Sequence, residues 1–224
     1  MDKNLPKPPA FSAKTAHRAQ QRMSKLLILK DQLPKKIEHI AGIDVAYTKN
    51  TSIAAAAVLE YDSLELEETQ TASCRTQLPY IPTLLAFREI RPSIMCIRKV
   101  HIQPDVFLVN GHGYAHPNRC GLASHLGLVL KRPTIGIAKN KLIGKTQKTQ
   151  QKVALITHNG KTIGAKLRTN PKHRPIYVSI GHMVSLQTAI EIAEQTTHSN
   201  PLPEPLLKAH QIAAAEKRKI NIQS

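Results

Sequence analysis

Acidic side chains are scarce in this chain: 15 Asp and Glu stand against 32 Lys and Arg in 224 residues, a formal net charge of +17. The surplus is not a basic tail, because it runs from the N-terminal region through Lys131 and Lys172 to Lys217 and Lys219. Such a spread favours a polyanionic partner through counterion release and steering, although a merely soluble basic surface would look the same. Cysteine is scarce too. Cys74, Cys96 and Cys120 show no Cys-x-x-Cys spacing, which argues against a disulfide scaffold or a structural zinc site and fits a reducing compartment. Cys120 reads as a small buried hydrophobe rather than a nucleophile. No apolar run approaches the ~20 residues of a membrane span, and the Pro-rich opening has no apolar signal-peptide core. The expectation is a soluble, cytoplasmic chain with no membrane partner. Its length suits one core, with an extended lead-in over 1–12 and a single domain over 13–224.

What is present is a change of hydrophobic period along the chain. Residues 13–33 read as a basic amphipathic helix packing through Ala16, Ala19, Met23, Leu26, Leu27 and Leu33, and ended by Pro34. From Ile40 the pattern turns β-like. Strands over 40–47, 52–61 and 66–76, joined by short turns, form an antiparallel meander. A helix follows from Pro82 through Leu84, Leu85, Phe87 and Ile90, with Pro92 expected to break or kink it. A strand at 105–109, a helix at 121–130 and a strand at 134–139 suggest a parallel crossover. His158-Asn159-Gly160 marks a hairpin, another strand spans 176–180, and helices over 186–195 and 206–217 close the chain. The fold class expected is α/β: a ribonuclease H-like mixed sheet, three antiparallel strands followed by parallel strands, flanked by helices.

Several residues carry chemistry. Asp44 sits inside Ile-Ala-Gly-Ile-Asp-Val-Ala, where a bare carboxylate is costly to bury; a bound cation, an arginine or a solvated strand end would each relieve it. Glu89 shares a helical face with Leu85 at i, i+4 spacing, or is an ordinary exposed helical glutamate. Asn110 ends the apolar run Val106-Phe107-Leu108-Val109, and carboxyl ends of strands in α/β sheets are where ligands bind. Gly111 and Gly113 beside it allow a ligand close to the backbone, or simply make a turn. Lys139, closing an apolar strand, is placed to contact a phosphate or solvent.

Together these segments resemble the endonuclease V family. The resemblance rests on Gly42-Ile43-Asp44-Val45-Ala46, Pro79-Tyr80-Ile81-Pro82, Leu84-Leu85-Ala86-Phe87-Arg88-Glu89 and Gly111-His112-Gly113-Tyr114-Ala115-His116-Pro117. It continues in Gly121-Leu122-Ala123-Ser124-His125-Leu126-Gly127, Thr134-Ile135-Gly136-Ile137-Ala138-Lys139, Val178-Ser179-Ile180-Gly181-His182-Met183-Val184-Ser185 and Leu202-Pro203-Glu204-Pro205, in family order from about residue 37 to 210. It implies a repair endonuclease that recognises deaminated adenine (hypoxanthine, deoxyinosine) in DNA and cuts the second phosphodiester bond 3′ to it with Mg²⁺ or Mn²⁺. Inosine in single-stranded RNA is a further substrate of such enzymes, and a monomer is expected. The resemblance maps metal ligands onto Asp44, Glu89 and Asn110, and further site residues onto His116, Lys139 and His210. It maps a base-replacing wedge onto Tyr80 and Pro82, and the base pocket onto Leu85, Gly111, Gly113 and Ala138. Three positions depart from the pattern: Asn110 stands for an Asp, Thr83 for a Gly and Met183 for an Arg. The first departure leaves open an alternative, a catalytically weak or inactive module that binds inosine-containing nucleic acid.

Overall fold

The computed structural model describes residues 11–170 and 172–222; most of the 1–12 lead-in lies outside them. Helix α1 (Ala13–Ser24) precedes the meander β1 (His39–Tyr47), β2 (Thr51–Glu60) and β3 (Leu66–Arg75). Then come α2 (Leu85–Ile97), β4 (Val106–Asn110), α3 (Leu122–Leu130) and β5 (Thr134–Ala138). The chain closes with β6 (Lys145–Thr146), β7 (Val153–His158), β8 (Lys161–Leu167), β9 (Ile176–His182), α4 (Leu186–Gln195) and α5 (Glu204–Ile222). The strands make one nine-stranded sheet ordered β3-β2-β1-β4-β5-β9-β8-β7-β6. β1 pairs antiparallel with β2 and parallel with β4, and β4 is parallel to β5. This is the mixed α/β sheet expected.

The two-residue period of a strand divides the core. Ile40 and Leu108 join Ile190 and Leu206 on the face covered by α4 and α5, whereas Ala41, Ile43 and Val109 join Ala86 and Leu126 on the face covered by α2 and α3. Asp44 and Asn110 continue the Ile40 and Leu108 rows, so both belong to the α5 face. Gly42, between Ile40 and Asp44, is where α5 touches β1. A Cβ there would meet the Pro205 carbonyl oxygen at 2.0 Å, so only glycine lets the helix start this close.

Three expectations need correction. α1 ends at Ser24, not near Leu33. The chain beyond it leaves the helix and hydrogen-bonds to the end of β9, through Ile28 N to His182 Nδ1, Met183 N to the Ile28 carbonyl and Gln32 N to the Met183 carbonyl. Leu26, expected in the core, is exposed. Pro92 lies inside α2 without ending it; packing against β2, β3 and α3 outweighs the one backbone bond a proline removes. Pro82 precedes α2 instead of opening it. The Asn159-Gly160 hairpin is present, with φ of 54° and 71° at the two residues, the left-handed pair of a type I′ turn.

Candidate active site

Parallel pairing of β1 with β4 aligns Ile43 with Val109, so the next residue of each strand, Asp44 and Asn110, stand side by side at the carboxyl edge. Asn110 Nδ2 donates to Asp44 Oδ1 at 2.6 Å, and Val45 N donates to the same oxygen at 2.9 Å. The other oxygen, Oδ2, lies 2.6 Å from His210 Nδ1 on α5. An ionised Asp44 makes Nδ1 the protonated nitrogen, which leaves Nε2 of this half-exposed ring free. The contact of α5 with Gly42 therefore sets where His210 meets Asp44.

Glu89 arrives from the other face of the sheet. It is buried, and Tyr47, the last residue of β1, donates its hydroxyl to Oε1 at 2.6 Å. Burial is the main cause that pushes the Glu89 carboxyl up to about 8; the Tyr47 hydrogen bond opposes it, and the nearby charge of Asp44 adds to it. Burial, followed by the Glu89 charge, raises the Tyr47 phenol as well, so it stays a donor. The Arg88 guanidinium carbon sits 4.0 Å from the centre of the Tyr47 ring, a cation–π contact. Neither Tyr47 nor Arg88 was among the residues singled out by sequence; the available signal was an aromatic three residues after Asp44 at the same strand end.

The structure thus brings together Asp44, Asn110 and His210, with Glu89 close enough to feel Asp44. Among the described residues no three His, Cys, Asp or Glu side chains converge as a metal-holding group. The remaining donors still suit a hard cation. Two buried carboxylates share the corner, and one of them is held protonated by burial where a cation would favour its ionised form. The Asn110 carbonyl supplies a neutral third oxygen.

Beyond β4 the chain lines a second feature, a cavity of about 80 Å³ walled by Tyr80, Thr83, Leu85, Ala86, His112, His116, Gly121, Leu122 and Leu142. Tyr80 is 65% exposed at its mouth, an unusual position for a large aromatic. Of the residues mapped onto a base pocket, Leu85 lines this cavity, and so does His116, which was expected among the further site residues. Gly111, Gly113 and Ala138 are not in its wall. Gly113 instead packs on backbone, where a Cβ would meet the Ile180 carbonyl at 2.1 Å, and Gly111 packs against Leu122. His116 is buried with both nitrogens engaged: Nε2 donates to the Thr83 carbonyl at 2.8 Å and Nδ1 accepts from Asn118 N at 3.1 Å. Burial lowers its pKa to about 4, so it is a neutral buttress of this loop. Lys139 stands apart, exposed in a cleft with Asn140, His173 and Arg174. A further cleft between α1 and 117–119 is lined by Arg18, Arg22, Lys25 and Arg119. None of the ion pairs among the described residues engages the first three.

The departure at 83 acquires a backbone meaning, whereas nothing in the backbone explains Met183 in place of an Arg. Both residues have positive φ, 70° at Thr83 and 55° at Met183, where glycine is at ease and a β-branched threonine is not.

Comparison with known proteins bears on the family and the fold. The Endonuclease V family model matches residues 21–211. The endonuclease V of Thermofilum pendens is 39% identical over 94% of this chain and 91% of its own length, and that of Rippkaea orientalis 40% over 94% of each. Among solved structures, Streptomyces avermitilis endonuclease V superposes with a TM-score of 0.87 at 31% identity, covering 95% of this chain and 96% of that one. Ciona intestinalis endonuclease V, in complex with a 24mer DNA containing an inosine followed by a ribo-adenosine, gives 0.85 at 29% identity, covering 92% and 98%. A family match over most of the chain, a shared mixed sheet and an acidic corner at the carboxyl ends of β1 and β4 lead to one assignment: the chain belongs to the endonuclease V family of nucleases.

Proposed function

We propose that this protein recognises deaminated adenine, as hypoxanthine, in DNA and hydrolyses the second phosphodiester bond on its 3′ side. The observation that carries the reading is the adjacency of two unlike features at one sheet edge: the Asp44–Glu89 acidic corner and the Tyr80 cavity, separated only by the short Asn110-Gly111-His112 connection. The first suits phosphate chemistry and the second suits an extruded base. Extrusion costs a few kcal/mol of unstacking, which an aromatic wedge offsets in part; Tyr80, with Pro82 beside it, is the group exposed for that role.

Asp44 and Glu89, with the Asn110 carbonyl, are the residues that would hold Mg²⁺ or Mn²⁺. Such an ion supplies an activated water and neutralises charge on the scissile phosphate. His210, fixed by its Nδ1 contact with Asp44, offers Nε2 as the atom that exchanges a proton at this edge. Tyr47 holds Glu89 in place through Oε1. Arg18, Arg22, Lys25 and Lys139 supply backbone affinity without reading sequence.

A second reading is favoured by Asn110 itself. Replacing one carboxylate removes a unit charge from beside the cation, worth roughly 4 kcal/mol at 4 Å and an effective dielectric of ~20 before hydration offsets it. The protein would then grip inosine-containing DNA or single-stranded RNA and cut it slowly. One assay decides: incubate the full chain with matched inosine- and adenine-containing DNA and RNA, in Mg²⁺ and in Mn²⁺, and measure both binding and cleavage. Inosine-dependent cleavage supports the nuclease, and inosine-selective binding without cleavage supports the binding module. Equal behaviour toward inosine and adenine overturns the lesion reading.

A further inference from the structure

Thr83 is held by side chains from two distant parts of the chain. Its carbonyl accepts from Gln20 Nε2 on α1 at 2.9 Å and from His116 Nε2 at 2.8 Å, and its hydroxyl lies 3.0 Å from His17 Nε2. Gln20 is fully buried, and its other end accepts from Asn118 Nδ2 at 3.0 Å; the Asn118 backbone N–H in turn fixes His116. The result is a closed polar network joining α1, the 79–84 loop and the 116–118 loop. Every buried member among these has a partner, the condition under which such a network rigidifies rather than destabilises. At its centre is a threonine in left-handed backbone conformation, a geometry that persists only when its surroundings impose it.

Taking the wedge role proposed above for Tyr80, we infer that Gln20 is a positioning residue for the wedge. By anchoring the Thr83 carbonyl from α1, it fixes Tyr80, three residues earlier, against the mouth of the cavity that Thr83 and His116 also line. Without the anchor the 79–84 loop relaxes from its left-handed turn and the exposed ring loses its fixed place. Gln20 touches neither the reacting phosphate nor the Asp44–Glu89 corner, so its effect falls on base selection.

The test uses the full chain and three variants: Gln20→Met, which keeps the length and removes both bonds; Gln20→Leu, which removes them with a shorter branched side chain; and His17→Ala, a milder change on a half-buried surface residue. Amide hydrogen exchange of peptides covering 79–87 reads the loop in the free protein. Oligonucleotide binding without added divalent cation reads the inosine-to-adenine affinity ratio. Losing one buried hydrogen bond predicts about tenfold faster exchange in both Gln20 variants and a few-fold in His17→Ala, with β1 and β2 peptides unchanged. The affinity ratio falls by about the same factor in the Gln20 variants. Unchanged exchange over 79–87 in variants that fold overturns the anchor. Faster exchange with an intact affinity ratio overturns the positioning role. If the parent protein itself shows no inosine preference, the lesion reading fails and the wedge-positioning claim is overturned with it, while the exchange data still separately decide whether Gln20 anchors the loop.

Discussion

The acidic corner and the Tyr80 loop sit on either side of the end of β4, yet they are held by opposite kinds of interaction. The corner is acidic: Asp44 and Glu89 are buried near each other, burial holds Glu89 toward its protonated form, and one position that could carry a third carboxylate carries an amide. The loop is held by neutral hydrogen bonds among Gln20, Thr83, His116 and Asn118, and all of the named contacts are made. A neutral, satisfied network is complete without a ligand, whereas a pair of buried carboxylates calls for a counter-charge. On the function proposed above, the loop would serve recognition with all its named contacts made, and the corner would serve chemistry with one carboxylate fewer than the resemblance implies. Damage to one half should leave the other intact.

The largest separation is expected from Glu89→Gln. Removing its ionised form from the corner should cost about a thousandfold in cleavage, while inosine-selective binding without divalent cation stays within a few-fold of the parent. Loss of that selectivity would show that the two halves are not separable. The converse variant is Tyr80→Ala. Base–aromatic stacking is worth about 1–3 kcal/mol, so inosine affinity should fall about tenfold to a hundredfold, with cleavage of bound substrate less affected; a filter-binding titration beside single-turnover kinetics separates the two.

The neutral half makes its own contribution to the pH dependence of stability. Burial holds His116 neutral with a pKa of about 4 in the fold, against ~6.5 in an unfolded chain. Between those values the unfolded state binds the extra proton. The stabilisation is therefore complete above pH 6.5 and declines as pH falls toward 4, by on the order of 3 kcal/mol. Burial lowers His112, His125 and His182 in the same direction. The Glu89 carboxyl, pushed up to about 8, gains stability in the opposite direction over the same range, so the readout is a difference: the urea midpoint of His116→Gln should rise relative to that of the parent between pH 7.5 and pH 4.5, and a constant difference would remove His116 as a buried neutral buttress. The smallest effect belongs to the basic cleft. Arg18→Glu with Arg22→Glu should weaken inosine and adenine DNA alike and make the salt dependence shallower, by about 0.9 in log–log slope for each phosphate that is no longer neutralised. Lys35→Glu, at the opposite end of β1, serves as the control.

Much of the acidic corner was legible in the sequence, because strand period and strand ends are local signals. Asn110 closes an apolar run and Asp44 interrupts one, helical spacing and the resemblance pointed to Glu89, and the resemblance alone supplied His210. The clamp was far less legible. Gln20 lies four residues after Ala16, on the buried stripe of α1, but a glutamine there reads as polar surface until its partners from 63 and 98 residues away are known. The left-handed turn at Thr83 has no signature in a β-branched residue. The stretch after Ser24 keeps helical hydrophobic spacing yet is drawn off by hydrogen bonds to the end of β9, which no local pattern announces.

The central claim, that Asn110 limits chemistry and not recognition, is tested most directly by Asn110→Asp. Single-turnover cleavage of inosine-containing DNA, at saturating Mg²⁺ and again at saturating Mn²⁺, should rise at least about tenfold over the parent as the missing charge is restored, with the inosine-to-adenine binding ratio unchanged. Cleavage rates within a few-fold of each other, or a changed binding ratio, would contradict it.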